Sequence, residues 1–364
     1  MQKIAKIKTP KKEIMGMYSV FSSHKKDVDI YVNAARDSAL VSQFKRKLKD
    51  QTYKIVPHLC PICKSDDYTL VAESIEGFKW GICKSCGLLQ IYCRFGKYDL
   101  VEFYKTGEYN AIGMGGIKDN TLFTLENKVM SLYFIDIFKR LNMHSGDISV
   151  VEIGCGSGGI LHALKEWGVK AVKGYDIDEQ RVNYGKTIVP ELEVSDAMSD
   201  DFEIDDRFNL VMLSNIIEHL YDPQEFMARI AQKIISPDVK VVIDIPNLEY
   251  CYRYSDISFL RFLCIQHLWY FSSITIERLV NQAGFGVDHI FPRGASFTII
   301  CSKRSEPVSN NNNGYWNSVS SINYANYCCD PNNISVEANR RTKLYIAKIS
   351  GNYKKPNHSM MVDN

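Results

Sequence analysis

Between residues 121 and 304 the apolar positions follow two rhythms in turn. The first is helical. From about Thr121, LFTLENKVMSLYFIDIFKRL spaces apolar side chains three and four residues apart, which predicts an amphipathic helix ending near the turn at Gly146. The second rhythm alternates short apolar runs with helix-like segments. ISVVEIG, AVKGYDI, LEVSD, FNLVMLSN and KVVIDIP read as strands, and GILHALKEWG, DEQRVNYGKTI and PQEFMARIAQKI between them read as helices. Such alternation predicts a parallel sheet with helices on both faces. After the fifth strand the pattern changes. SITIERLVNQAGF predicts a helix closed by Gly284, and GVDHIFP with SFTIICSK predicts two strands joined at the Pro292–Ala295 turn. The expected fold class is α/β: a doubly wound, mostly parallel seven-stranded sheet with a closing antiparallel hairpin.

The flanks read differently. Residues 1–56 form a basic, mostly helical arm, with AARDSALVSQFKRKLKD its most helix-like part. Residues 57–95 are cysteine-bearing and turn-rich, 96–120 form a linker, 121–304 hold the α/β domain, and 305–364 turn polar and Asn-rich. That last segment is expected to be a loosely ordered tail, although the aromatics of NGYWNSVSSINYANY would let part of it dock. No repeat is present, which excludes solenoids.

The net charge of +2 hides an asymmetry. Residues 1–56 hold thirteen Lys and Arg against five Asp and Glu, an excess of +8, whereas Ser195–Asp206 is acidic. The arm is either a solvated helical appendage or a contact for an anionic partner such as nucleic acid. No apolar run approaches the ~20 residues that span a bilayer. The N-terminus has no apolar core of a secretory signal. With eleven cysteines, these features favour a reducing cytoplasm with free or metal-bound thiols over a disulfide framework.

Cys60-Pro-Ile-Cys63 and Cys83-Lys-Ser-Cys86-Gly make a C-x2-C-x19-C-x2-C pattern. Each knuckle presents two thiolates and two knuckles complete a tetrahedron, so a small zinc ribbon-like module with structural Zn2+ is expected. Four sulfur ligands leave no open position for catalysis. His58 and Cys93 are spare ligands.

The stretch VVEIGCGSGG, Val150–Gly159, fits two templates. G-x-G-x-x-G through Gly154, Gly156 and Gly159 is a dinucleotide fingerprint; an acid two residues ahead of G-x-G-x-G, through Glu152, Gly154, Gly156 and Gly158, is a methyl-donor loop. Both use glycines for a tight turn and a helix N-terminus for polar atoms. Asp176, about 20 residues beyond, would hold ribose hydroxyls in either. The context separates them. FNLVMLSNIIEHLYDP, VVIDIPN and HLWYFSSITIERLVNQAGF, in that order, resemble the class I S-adenosylmethionine-dependent methyltransferases over about residues 120–303. The cysteine module ahead of this domain, and YDLVEFYKTGEY after the module, are similar to the sugar C-methyltransferase family acting on nucleotide-linked keto-sugars.

The resemblance implies a site, residue by residue. Glu152, Gly154, Gly156 and Gly158 would lie under the methionine part of S-adenosyl-L-methionine, Asp176 would take the ribose, Asp196 and Ala197 would meet the adenine, and Ser214 and Asn215 would line the methionine end. His219 and His267 are the candidate bases, with Glu218 either orienting His219 or capping the next helix. Tyr104, Tyr109 and Trp269 are candidates for the substrate pocket. CYRYSDISFLRFLCIQHLWYF is either an aromatic lid or a packed helix. Two departures stand: Gln266-His267 replaces the family's Glu-His, and about sixty polar residues replace a large C-terminal domain. The accepting atom, carbon, oxygen or nitrogen, stays open. The expected function is methyl transfer to a small-molecule acceptor, such as a sugar or cell-surface precursor. The alternatives are an RNA methyltransferase using the zinc module and basic arm, and a non-enzymatic donor-binding scaffold.

Overall fold

The structure is a computed structural model that describes residues 46–321, apart from 51, 74–77, 114–117, 200, 250–262, 294–295, 306–313, 315–316 and 319. The basic arm therefore lies outside the described residues up to position 45, with helix at 46–49.

Five short strands come first: β1 (Ile55–Pro57), β2 (Tyr68–Glu73), β3 (Lys79–Cys83), β4 (Leu89–Ile91) and β5 (Cys93–Phe95). The expected linker then forms two helices, α1 (Lys97–Lys105) and α2 (Glu108–Gly113). The helix expected from Thr121 is interrupted. It runs as α3 (Asp119–Leu125), a π-helical turn (Glu126–Met130) and α4 (Ser131–Arg140). Such a turn widens the helix by one residue and is often found at functional sites. Here it aims Glu126 and Asn127 at the glycine loop, where Asn127 Nδ2 donates to the Gly159 carbonyl at 3.3 Å.

The alternating part follows as β6 (Ser149–Ile153), α5 (Gly159–Trp167), β7 (Ala171–Asp176), α6 (Glu179–Lys186), β8 (Leu192–Val194), β9 (Leu210–Ser214), α7 (Pro223–Lys233) and β10 (Lys240–Pro246). β11 (Trp269–Tyr270), α8 (Ser273–Gln282), β12 (Phe285–Arg293) and β13 (Ser296–Lys303) complete it. The large sheet has the order β12-β13-β10-β9-β6-β7-β8. β6 to β10 pair in parallel, and β13 runs antiparallel to both its neighbours. The seven-stranded sheet with a closing hairpin is thus observed. Strands β6, β9 and the centre of β10 are buried throughout, as a sheet covered on both faces requires.

Local chemistry sets the helix ends. Asp222 caps α7 by accepting the Gln224 and Glu225 N–H groups at 3.0 Å, with Pro223 in the first turn. This removes the capping role considered for Glu218. Ser272 and Thr275 form a reciprocal capping box on α8, and Gly284 follows that helix at φ +88°.

The cysteine region is not a self-contained unit. Its sheet has the order β11-β4-β3-β2, so a strand from the far side of the chain completes it, with Trp269 opposite Gln90. Trp80, Phe95, Trp269, Tyr270 and the strands of the large sheet share one buried cluster. Part of the tail also docks: Gly314 N–H donates to the Cys86 carbonyl at 3.1 Å, and the buried Ser318 hydroxyl donates to the Gly87 carbonyl at 2.6 Å. Among the described residues no helix is long and apolar enough to cross a membrane.

Candidate active site

The glycine loop leaves the carboxyl end of β6 and enters α5. Gly154, Gly156 and Gly158 have φ of +78°, +56° and +76°, in the left-handed region where a side chain is strained. Crowding adds to this. A Cβ on Gly159 would lie 2.5 Å from the Phe123 carbonyl, and one on Gly185 of α6 would lie 2.3 Å from the Ser157 carbonyl. The loop is clamped between the π-helical turn and α6.

Asp176 ends β7 beside it. Its carboxylate accepts the Gly156 N–H at 2.7 Å and the Asp178 N–H at 2.8 Å. Burial raises its pKa, and those N–H bonds with the Arg181 charge oppose the rise. Glu152 is 1% exposed and its Oε2 has no hydrogen-bond partner. Burial first, then the charges of Glu126 and Asp176, hold its carboxyl well above the usual range. Glu126 accepts from the Gly159 N–H at 3.1 Å and the Ser157 hydroxyl at 3.3 Å. It is half-buried, and burial pushes its pKa up to about 7. Arg181 faces this acidic group, 3.5 Å from Asp178 and stacked 4.8 Å from the Tyr109 ring centre.

Asp196 Oδ1 accepts the Met198 N–H at 2.8 Å in the turn after β8, and Ala197 is buried next to it. Ser214 ends β9, and Asn215 takes φ +51° as the chain turns away, its N–H bonded to the Asp244 carbonyl at 2.7 Å. Asn215 Nδ2 donates to the Ser214 hydroxyl at 3.3 Å. The carboxyl ends of β6, β7, β8 and β9 thus carry every residue expected to hold a donor.

A second group stands beyond β9. The 3-10 turn Ile217–His219 presents His219, whose Nδ1 lies 2.8 Å from the Gln266 carbonyl and 2.8 Å from the Tyr104 hydroxyl. Tyr104 donates to that same carbonyl at 2.9 Å. A carbonyl only accepts, so this network assigns the proton to Nδ1 and leaves the lone pair on Nε2. Desolvation first, and then the His267 charge, lower the His219 pKa to about 3, so its ring is neutral at ordinary pH. The two imidazole centres are 4.8 Å apart. Tyr109 ties this group to the donor side. Its hydroxyl donates to Asp178 at 3.1 Å, its carbonyl accepts from Gln266 Nε2, and its ring lies 5.0 Å from that of Tyr104.

The profile of the family described as "Methyltransferase domain" matches residues 127–290. Over those residues the chain carries a methyltransferase domain. No curated protein matches the sequence. Among solved structures, the chain is similar to an S-adenosylmethionine-dependent methyltransferase from Mesorhizobium loti, at 15% identity over 46% of this chain and 96% of that one, TM-score 0.37. A second, from Archaeoglobus fulgidus, has 19% identity over 50% and 98%, TM-score 0.40. Magnesium protoporphyrin IX methyltransferase from Synechocystis, solved with bound SAH, has 11% identity over 54% and 98%, TM-score 0.40.

One residue expected in the substrate pocket lies in the core. Trp269 is fully buried, its indole N–H donates to the Leu220 carbonyl at 2.8 Å, and it belongs to the buried cluster that both sheets share. Of the aromatic stretch, residues 251–262 lie outside the described residues, while Leu263, Ile265 and Leu268–Phe271 are core. Glu126 and Arg181 were not legible as site residues. The signal available for Glu126 was a lone acid within an apolar helical pattern.

Cys60, Cys63, Cys83 and Cys86 bring their sulfurs together, Cys60 to Cys86 at 3.5 Å and Cys63 to Cys83 at 3.4 Å. The two knuckles are built alike. In each, the residue after the second cysteine is left-handed, Lys64 at φ 59° and Gly87 at φ 87°, and its N–H donates to the carbonyl of the first cysteine at 2.9 and 2.8 Å. His58 is bound elsewhere, its Nε2 2.7 Å from the Ile91 carbonyl, and it does not join the cluster. Cys93 does not join it either.

Proposed function

We propose that this methyltransferase acts on a small-molecule acceptor, with a sugar or nucleotide-sugar as the acceptor class. The observation that carries the proposal is the Tyr104, His219, Gln266 and His267 group, which Tyr109 links directly to the acid beside Asp176. The two groups of candidate residues are therefore joined through Tyr109.

The donor supplies, when bound, a methyl group on a positively charged sulfur. The chain's residues suit it. Gly154, Gly156 and Gly158 leave backbone room, since a Cβ on Gly156 would already meet Glu126 at 3.0 Å. Asp176 would hold the ribose, Asp196 and Ala197 the adenine, and Ser214 and Asn215 the methionine end. Glu126, whose carboxyl ionises near pH 7, offers negative charge to a cationic ligand, where burial strengthens the attraction, and the unpartnered Oε2 of Glu152 offers a polar contact. At the acceptor end, Tyr104 positions His219, and its neutral Nε2 takes a proton from the acceptor. Gln266 holds Tyr109 and His219 in place. His267 stands as the second base.

The cysteine group fits structural Zn2+. Sulfurs about 2.3 Å from one zinc lie about 3.8 Å apart, close to the observed pairs. Four grouped thiols suit a reducing cytoplasm. Its role would be to hold β3, β4 and β11 together, and so to fix the ends of the segment bearing Gln266 and His267.

Calorimetry tests the donor half: saturable heat with S-adenosylhomocysteine and none with NADH is expected, and the reverse would sink it. For the acceptor half, His219→Ala and His267→Ala should each slow turnover with donor binding retained. Full turnover in both would remove the proposed base.

A further inference from the structure

The group beyond β9 holds one residue that the proposed transfer leaves without work. Glu218 is 0% exposed, and neither of its carboxylate oxygens has a hydrogen-bond partner. A buried carboxyl without a partner either keeps its proton or, once ionised, costs several kcal/mol, roughly, unless a positive charge compensates it. Asp244, equally buried, shows the usual solution, with Arg293 at 2.5 Å and the Thr298 hydroxyl at 2.6 Å. Glu218 has imidazoles instead. Its Oε1 is 3.8 Å from His219 Nε2, and ligand atoms from Glu218, His219 and His267 all lie within 4.8 Å of one another.

We propose that Glu218, His219 and His267 bind a divalent cation of borderline character, such as Mn2+, Co2+ or Zn2+, with its remaining positions open to an oxygen of the acceptor. Two imidazoles and one carboxylate are a ligand set for such ions. Two ligand atoms about 2.1 Å from one ion stand about 3 to 3.5 Å apart, so the spacing needs little adjustment. The His219 network is already that of a metal-bound histidine: Nδ1–H donates to a backbone carbonyl, which fixes the ring and turns Nε2 toward Glu218. The tetrathiolate is a separate site with different chemistry. Its four soft ligands close the coordination sphere, whereas three ligands leave it open. The inference rests on the acceptor-site reading above and changes what the Nε2 lone pair meets: a cation that takes the acceptor's oxygen, in place of that oxygen's proton.

The test is a Mn2+ titration of the full chain followed by electron paramagnetic resonance, with the cysteine-bound metal left in place. Mn2+ disfavours thiolate sites, so it reports the nitrogen and oxygen site alone. One Mn2+ per chain is expected, and Glu218→Gln and His267→Gln should each weaken it by about 10- to 100-fold or more. S-adenosylhomocysteine binding, measured in the same variants, should persist and so show that they fold. Absence of bound Mn2+ at millimolar concentrations, or equal binding by both variants, would overturn the inference. Full methyl transfer with only the cysteine-bound metal present would overturn it too, and would leave the methyltransferase reading intact.

Discussion

Glu126→Gln tests the electrostatics of the donor cleft. The glutamate accepts from Gly159 and Ser157, and glutamine keeps its shape and one accepting oxygen. Only the titration is lost. Burial raises the carboxyl from 4.5 to about 7, so the folded protein binds a proton more readily than the unfolded chain between those values. Its contribution to stability is therefore greatest at low pH and is lost as pH rises through about 7. For that shift, linkage gives a loss of about 2 kcal/mol between pH 5 and pH 8, after allowance for the cleft's contact with solvent. Urea unfolding of the donor-free protein at both pH values, compared with the variant, isolates this contribution from other groups. The difference in unfolding free energy, variant minus wild type, should grow by about 2 kcal/mol from pH 5 to pH 8. A cationic donor favours the ionised carboxyl, so wild-type affinity for S-adenosylmethionine should rise over the same range and the variant's should not. Parallel stability profiles for the two proteins would refute the reasoning.

Other expectations follow from the same structure. Asp176→Asn loses charge-assisted bonds at the ribose position, and calorimetry should show S-adenosylhomocysteine binding weakened by about 10- to 100-fold. Trp269→Ala opens a cavity in the buried cluster that both sheets share and strands the Leu220 carbonyl, so denaturant unfolding should show a loss of about 3–5 kcal/mol in a single transition. Retention of wild-type domain stability would show that the cysteine region is not part of the same core. Cys63→Ser should lower the metal content of the purified protein by one ion and its melting temperature with it, because structural zinc contributes about 10 kcal/mol or more to such units.

Much of the domain was legible from period alone. The five parallel strands and the hairpin stand out because each apolar run is short, β-branched and bounded by turn residues. The candidate donor loop was legible because left-handed positions demand glycine, and the strand-end acid beside it because its spacing fits the motif. What escaped was tertiary. Nothing in LFTLENKVM distinguishes a π-helical turn from an unbroken helix, since the one-residue widening depends on the loop that packs against it. Trp269 was a candidate for the substrate pocket, and the sequence left its stretch open as a lid or a packed helix because an aromatic run looks the same in both. Its partner Gln90 lies almost 180 residues away, and only strand pairing brings the two together. Tyr104 and Tyr109 came from resemblance, and their hydrogen bonds to Gln266 and Asp178 supply the physical reason for their place.

The most direct test of the acceptor site is transfer itself. The purified protein, incubated with methyl-labelled S-adenosylmethionine and cell extract fractionated into nucleotide-sugars, lipids and RNA, should label the nucleotide-sugar fraction, and His219→Ala should abolish most of that label. Label confined to RNA, or undiminished in the variant, would contradict the account.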